Sequence, residues 1–271
     1  RAITLRLMPC INRIINNFQD MSIVGPTIDV INNFFYSDNL PKESISQNNP
    51  SIELKNNILF KNISFQYENG NKIFNNFNFS IPKGAIIGIK GKSGRGKSTL
   101  IDMLCGFQQP TGGKILVDNR DISENLKSWQ SQIGYVSQDE LILDHNLLNN
   151  VVFEIKDIDE DNHDKTKFLE ALKISQLSNL KNFISEKKDI KTGEKGSLLS
   201  SGQGQRIGIA RAIYNGRPIM IFDEATNALD IETEDLILKA IMKWKKDRTM
   251  IIISHRQEVL KNCNKIIDLG N

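Results

Sequence analysis

Cysteine is scarce in these 271 residues: Cys10, Cys105 and Cys263 lie far apart, with no metal-type spacing. Their arrangement excludes a disulfide framework and a cysteine zinc site, and reduced thiols in a cytosolic setting are the expectation. Long apolar runs are absent as well; no stretch approaches the ~18 consecutive apolar residues of a membrane-crossing helix. The net charge of +3 is too small to suggest a nucleic-acid partner. No apolar core with a small-residue cleavage site follows the first residues, so no secretory leader is expected. The chain starts on Arg1 instead of methionine, which suggests a piece of a longer protein. With 25% charged and 39% hydrophobic residues, the composition suits one large α/β domain or one domain with a smaller attachment.

What the sequence does contain is a phosphate-binding signature. Gly91-Lys-Ser-Gly-Arg-Gly-Lys-Ser-Thr99 follows the apolar run Ala85–Ile89 and precedes the helix-forming Leu100–Leu104. Strand, glycine-rich turn and helix together make the G-x-x-x-x-G-K-[ST] pattern a phosphate loop. Gly91, Gly94 and Gly96 permit backbone shapes that crowd amide N–H groups around phosphate oxygens, with the donors around Ser93 included. The following helix adds its positive end. Lys97 can reach the β- and γ-phosphates and the Ser98 hydroxyl can ligate Mg²⁺, with Thr99 beside it.

Residues 1–36 differ from the rest. Ile11, Ile14, Ile15, Phe18 and Met21 recur at helical spacing after Pro9, Gly25-Pro26 breaks the pattern, and Ile28, Ile31, Phe34 and Phe35 form a second piece. Residues 37–51 read as a polar linker, which places a domain boundary near residue 50. From Ile52 to Ile81 the alternation is β-like, with strands at 58–60, 63–67 and 77–81 and a hairpin turn at 68–71. Tyr67, at the end of its strand, is a candidate to stack on a purine base, with Phe65 on the same face as the rival and core or edge packing as the alternative. Short strands follow at 112–118 and 133–137, the latter running into Gln138. Lys156–Lys188 is helical in tendency; its acidic run Asp157–Asp164 lacks a chelating loop and reads as a solvated face.

Further on, Leu199-Ser200-Ser201-Gly202-Gln203 opens a helix. Pro218–Phe222 is an apolar strand ending in Asp223-Glu224, carboxylates at the strand end where ligands bind in parallel sheets. Asp223 can hold Mg²⁺ and Glu224 can take a proton from an attacking water. Asp230 caps the next helix, which is acidic at its start and basic at its end. A last strand, Thr249–Ser254, brings His255 to the same edge.

These motifs, in this order over residues 52–269, resemble the ATP-binding cassette of ABC transporters. Gly91–Thr99 resembles the Walker A loop, Gln138 the glutamine switch, and Leu199–Gln203 the signature motif. Ile219–Glu224 resembles Walker B, Asn227–Asp230 the D-loop, and His255 the switch histidine. The likeness implies a P-loop core with a parallel sheet, an antiparallel β subdomain and a helical subdomain, preceded by a short helical segment. It implies a transport-coupled ATP hydrolase using ATP and Mg²⁺, with Glu224, His255 and Gln138 catalytic and Ser98, Gln138 and Asp223 around the metal. Two cassettes, identical or different, would clamp two nucleotides head to tail. Each nucleotide would then lie between one copy's Walker A loop and the other copy's signature motif, with Tyr67, Ser200, Gly202, Gln203 and Asp230 among the nucleotide-binding residues. Thr192–Gly196 resembles the exporter X-loop. Residues 1–50 resemble the cytoplasmic end of a fused membrane domain plus linker, which implies the inner face of the cell membrane. The style of the amino-terminal piece and of Ser200–Tyr214 is also similar to flippases of lipid-linked oligosaccharides. The chain departs from the family pattern with Ser201 at the first glycine of the signature, Gly204 at a usual long polar position, and Asn227 at a common serine. A soluble ABC-type ATPase and a hydrolysis-poor half of a heterodimeric exporter are the alternatives.

Overall fold

Two sheets organise the chain, and each follows from how its residues alternate. The structure, a computed structural model, describes residues 9, 12–17, 19, 25, 28, 50–67, 70–154, 163–180 and 191–270. The chain divides into two units, residues 1–49 and 50–271. In the first, residues 12–17 are helical, within the helix expected after Pro9. Ile11, Phe18, Met21, most of the second apolar piece and linker residues 37–49 lie outside the described residues, as does the acidic run from Asp157 to Asp161. Among the described residues no helix is long and apolar enough to cross a membrane.

In the second unit, β1 (Asn57–Gln66), β2 (Lys72–Pro82), β4 (Gly112–Val117) and β5 (Arg120–Asp121) form an antiparallel sheet in the order β2-β1-β4-β5. β2 is longer than its alternation implied and reaches back to Lys72. The second sheet is parallel, in the order β6-β7-β8-β3-β9: β6 (Ile133–Val136), β7 (Ile219–Asp223), β8 (Thr249–Ile253), β3 (Ile86–Lys90) and β9 (Lys265–Asp268). Its near-continuous Ile/Met/Phe runs suit strands buried on both faces. Successive side chains leave a strand on opposite faces. Ile87, Ile89, Ile219, Ile221, Ile251 and Ile253 therefore enter one core, shared with the antiparallel sheet and helix α1 (Lys97–Cys105). Ile86, Met220, Phe222, Met250 and Ile252 enter the other. That second core takes its remaining layer from α3 (Leu147–Val152), α4 (Lys165–Ile174), α5 (Ser201–Asn215) and α6 (Ile231–Trp244).

The helix α2 (Leu126–Gln130) drives fully buried Trp129 under α1, where its indole N–H donates to the Leu104 carbonyl at 2.6 Å. Within 156–188, the stretch of helical tendency, the described residues are helical in two pieces: α4 stops at Ile174, Gln176 takes a left-handed φ of 57°, and helix resumes at 178–180. Neither α3 nor β9 was evident from periodicity, since each is too short to show a period.

Candidate functional site

Three loops leave the carboxyl ends of neighbouring strands β3, β8 and β7, and each brings one predicted residue to the same edge. In the loop after β3, Gly94 and Gly96 adopt φ of 78° and 91°. A Cβ on Gly96 would stand 2.4 Å from Ile73 Cγ2, so both its dihedral and its space demand glycine. Lys97 opens α1 with its side chain folded back over the loop. Its Nζ donates to the carbonyls of Gly91 at 2.8 Å and Lys92 at 3.5 Å, and lies 3.3 Å from His255 Nε2. Ser93 and Ser98 are exposed while Thr99 is buried, its hydroxyl 2.8 Å from the Tyr67 hydroxyl. Tyr67 stands edge-on to Phe65 at 5.0 Å and keeps part of its ring open to solvent.

After β7, Glu224 sits in a left-handed conformation with φ 50°. Both carboxylate oxygens are engaged: Oε1 lies 3.1 Å from His255 Nε2 and Oε2 accepts from the Asn227 amide at 2.6 Å. Asp223 accepts a hydrogen bond from the Tyr135 hydroxyl at 2.8 Å. Burial, reinforced by the Glu224 charge, holds the Asp223 carboxyl above the usual range against the opposing effects of Tyr135 and Lys97. Burial and the charge of Asp223 raise Asp102 likewise. Burial also pushes the Cys105 thiol up to about 12, which keeps this cysteine protonated and inert.

Carboxylates crowded into partial burial are relieved by a cation. Among the described residues no group of three or more His, Cys, Asp and Glu forms a metal cage. The donors at hand, the Ser98 hydroxyl and the Asp223 carboxylate, are hard oxygens. They suit Mg²⁺, which takes one or two carboxylates and completes its shell with water and phosphate oxygens.

The other predicted residues gather at the start of α5. Ser200 caps the helix by accepting from Gln203 N at 3.2 Å, while Gln203 Oε1 accepts from Ser200 N at 2.8 Å, a reciprocal capping box. Both hydrogen bonds stay within the helix end, which leaves Ser200 and Ser201 exposed along a cleft of about 570 Å³ with Gln138, Glu140, Gln205 and Asn227. Gly202 packs on the loop before α6: a Cβ there would stand 3.1 Å from the Ala228 carbonyl. Asp230 caps α6 by accepting from Thr233 N at 2.9 Å, a bond that holds its carboxyl below the usual range.

Two ties escaped the sequence reading. Gln205 donates to the Gln138 carbonyl at 3.3 Å and accepts from Ala228 N at 2.9 Å, so one buried amide joins α5 to both loops. Its signal was legible: a polar residue on the stripe that also buries Ile209 and Ile213. Glu140, pushed up by burial despite its partner, pairs with Arg211 at 3.1 Å. It lies over Gly208, where a Cβ would meet its carboxyl carbon at 2.2 Å.

The family described as ABC transporter matches residues 74–227. The alpha-hemolysin translocation ATP-binding protein HlyB of Escherichia coli O157:H7 is 39% identical over 264 residues, 96% of this chain and 36% of that protein. The leukotoxin translocation ATP-binding protein LktB of Pasteurella haemolytica-like sp. (strain 5943B) is 36% identical over 257 residues, 94% of this chain and 35% of that one. The chain thus spans little more than a third of the length of these relatives. Among solved structures, a bacterial Atm1-family ABC exporter with ATP bound superposes with a TM-score of 0.75 at 30% identity, over 83% of this chain and 39% of that one.

Proposed function

Because the chain belongs to the ABC transporter family, we propose that residues 51–271 bind ATP with Mg²⁺, hydrolyse it, and thereby drive an exporter. The observation that carries this reading is the meeting of Lys97, His255 and Glu224 within 3.3 and 3.1 Å at one sheet edge. The ammonium of Lys97 leaves the Gly91 carbonyl for the β- and γ-phosphates, and the loop amides and the α1 terminus surround the rest of the triphosphate. Tyr67 offers its ring to the base. Ser98, Asp223 and Gln138 would hold Mg²⁺, which would supply positive charge against that of the triphosphate. Glu224 orients the attacking water and takes its proton on a carboxylate oxygen. His255 holds that carboxylate in place and faces the γ-phosphate.

The exposed start of α5, with Ser200, Gly202 and Gln203, serves a second copy or a homologous cassette. Its amides and hydroxyl close over the neighbour's nucleotide, so intact ATP holds two cassettes together and hydrolysis releases them. Residues 1–50 are the cytoplasmic end of a membrane domain plus a linker, fused upstream, which sets the cassette at the cytoplasmic face of the membrane. The relatives support this reading: by name they translocate hemolysin and leukotoxin, and they are far longer than this chain.

The test is ATP hydrolysis before and after Glu224→Gln. Turnover should fall by about 10²–10⁴-fold, with nucleotide binding retained and the ATP-bound dimer accumulating on a sizing column. Unchanged turnover would remove Glu224 as the base.

A further inference from the structure

Glu234 is a charged side chain with no part in that chemistry, yet it is only 5% exposed. It lies in the first turn of α6, where a glutamate suits the helix dipole. The dipole rewards a solvated glutamate as well, so it does not account for the burial. Stability does not account for it either, since an apolar side chain of similar volume generally packs as well as a buried ion pair. What a carboxylate does, and an apolar group does not, is hold two donors at once.

Its two oxygens face two different loops. Oε1 accepts from the Thr226 hydroxyl at 2.5 Å, and Oε2 pairs with the Arg256 guanidinium. Thr226 is two residues past Glu224, and Arg256 is the residue after His255. Glu224 needs such support because its φ of 50° is unfavourable for a side-chain-bearing residue and persists only where the surroundings enforce it. Glu224 N donates to the Ile253 carbonyl at 3.1 Å, which fixes where the loop departs from the sheet. The Thr226–Glu234 bond fixes where it goes next. Arg256 N donates to Ser254 Oγ at 3.0 Å, so the histidine loop is a tight turn whose remaining freedom is set by the Arg256 side chain.

We propose that Glu234 is a positioning residue for hydrolysis: by holding Thr226 and Arg256 on one carboxylate, it sets the distance between Glu224 and His255. The inference rests on the roles assigned above to those two residues. Without Glu234 both loops still leave the same strands, and the hydrogen bonds that join them among the described residues are the Glu224 N–Ile253 carbonyl bond at the sheet edge and the 3.1 Å contact of Glu224 with His255 itself.

The experiment compares Glu234→Gln, Thr226→Val and Glu224→Gln with the unaltered chain in ATP hydrolysis, fluorescent-nucleotide titration and thermal unfolding. Glu234→Gln keeps the shape and loses the charge on Arg256; Thr226→Val cuts the other arm and leaves the ion pair intact. Misplacing a catalytic group by about 1 Å costs up to about a hundredfold, so each is expected to lower kcat by about ten- to a hundredfold. KM for ATP and nucleotide affinity should stay within about twofold, because the phosphate loop is untouched. Should Glu234→Gln unfold the chain, Thr226→Val alone decides. Unchanged kcat in the variant that decides, or a kcat loss that follows a loss of nucleotide affinity or melting temperature, overturns the proposal. If Glu224→Gln itself leaves turnover unchanged, it is the assignment of the base that fails.

Discussion

His255 Nε2 stands between the Glu224 carboxylate, 3.1 Å away, and the Lys97 ammonium, 3.3 Å away, so one imidazole bridges the proposed base and the lysine proposed to bind phosphate. Replacing His255 by alanine removes the bridge without disturbing β8. Turnover should drop by about 10²-fold or more, while nucleotide affinity changes little because the loop amides remain. Phosphate release and nucleotide titration, run side by side, check this.

Gly96→Ala tests the phosphate loop. The new methyl would sit 2.4 Å from Ile73 Cγ2 at a φ of 91°. Strain of this kind costs about 1–3 kcal/mol, and the loop must shift to relieve it. Nucleotide affinity should fall with it, read by fluorescent-nucleotide titration. A Gly94→Ala control, with no atom within 4 Å of its Cβ, should suffer from dihedral strain alone and lose less.

Trp129→Ala tests the core beneath α1. The indole is fully buried and its N–H holds the Leu104 carbonyl. Truncation should cost about 3–5 kcal/mol, seen as a lower denaturant midpoint, with an added loss because the carbonyl is left without its donor.

Asp118 carries an acid-sensitive share of stability. Burial opposes its charge, but the backbone N–H groups of Lys55, Asn57 and Asn56, at 2.6, 3.0 and 2.9 Å, outweigh it and hold the carboxyl below the usual range. A carboxyl depressed on folding stabilises fully above its unfolded pKa of about 3.9. That contribution is lost as pH falls through the lower folded value. Asp118→Asn should therefore destabilise the chain near neutrality by an amount that shrinks toward pH 2, measured by denaturant titration at each pH.

The sequence showed those parts of the site whose chemistry is written in adjacent residues. Gly91–Thr99 was readable because loop, lysine and helix start are contiguous. Asp223-Glu224 and His255 were readable because each ends an apolar strand. Thr226, Glu234 and Arg256 were not, because their meeting depends on where two loops and a helix start come together. Tyr135 was hidden for a related reason: on β6 it reads as one more strand residue until the parallel pairing with β7 brings it to Asp223. In the fold, short elements such as α3 and β9 were missed for want of a period. The break after α4 was missed because left-handed Gln176 leaves no mark in composition.

The parallel sheet has one more consequence. Its strands send odd and even residues into separate cores, and Glu224 and His255 follow directly on the ends of β7 and β8. Slipping β7 or β8 by a single position would turn every buried side chain toward the wrong layer and displace its terminal residue by ~3.3 Å. Assembly of the interior therefore also sets the spacing of these strand-end side chains.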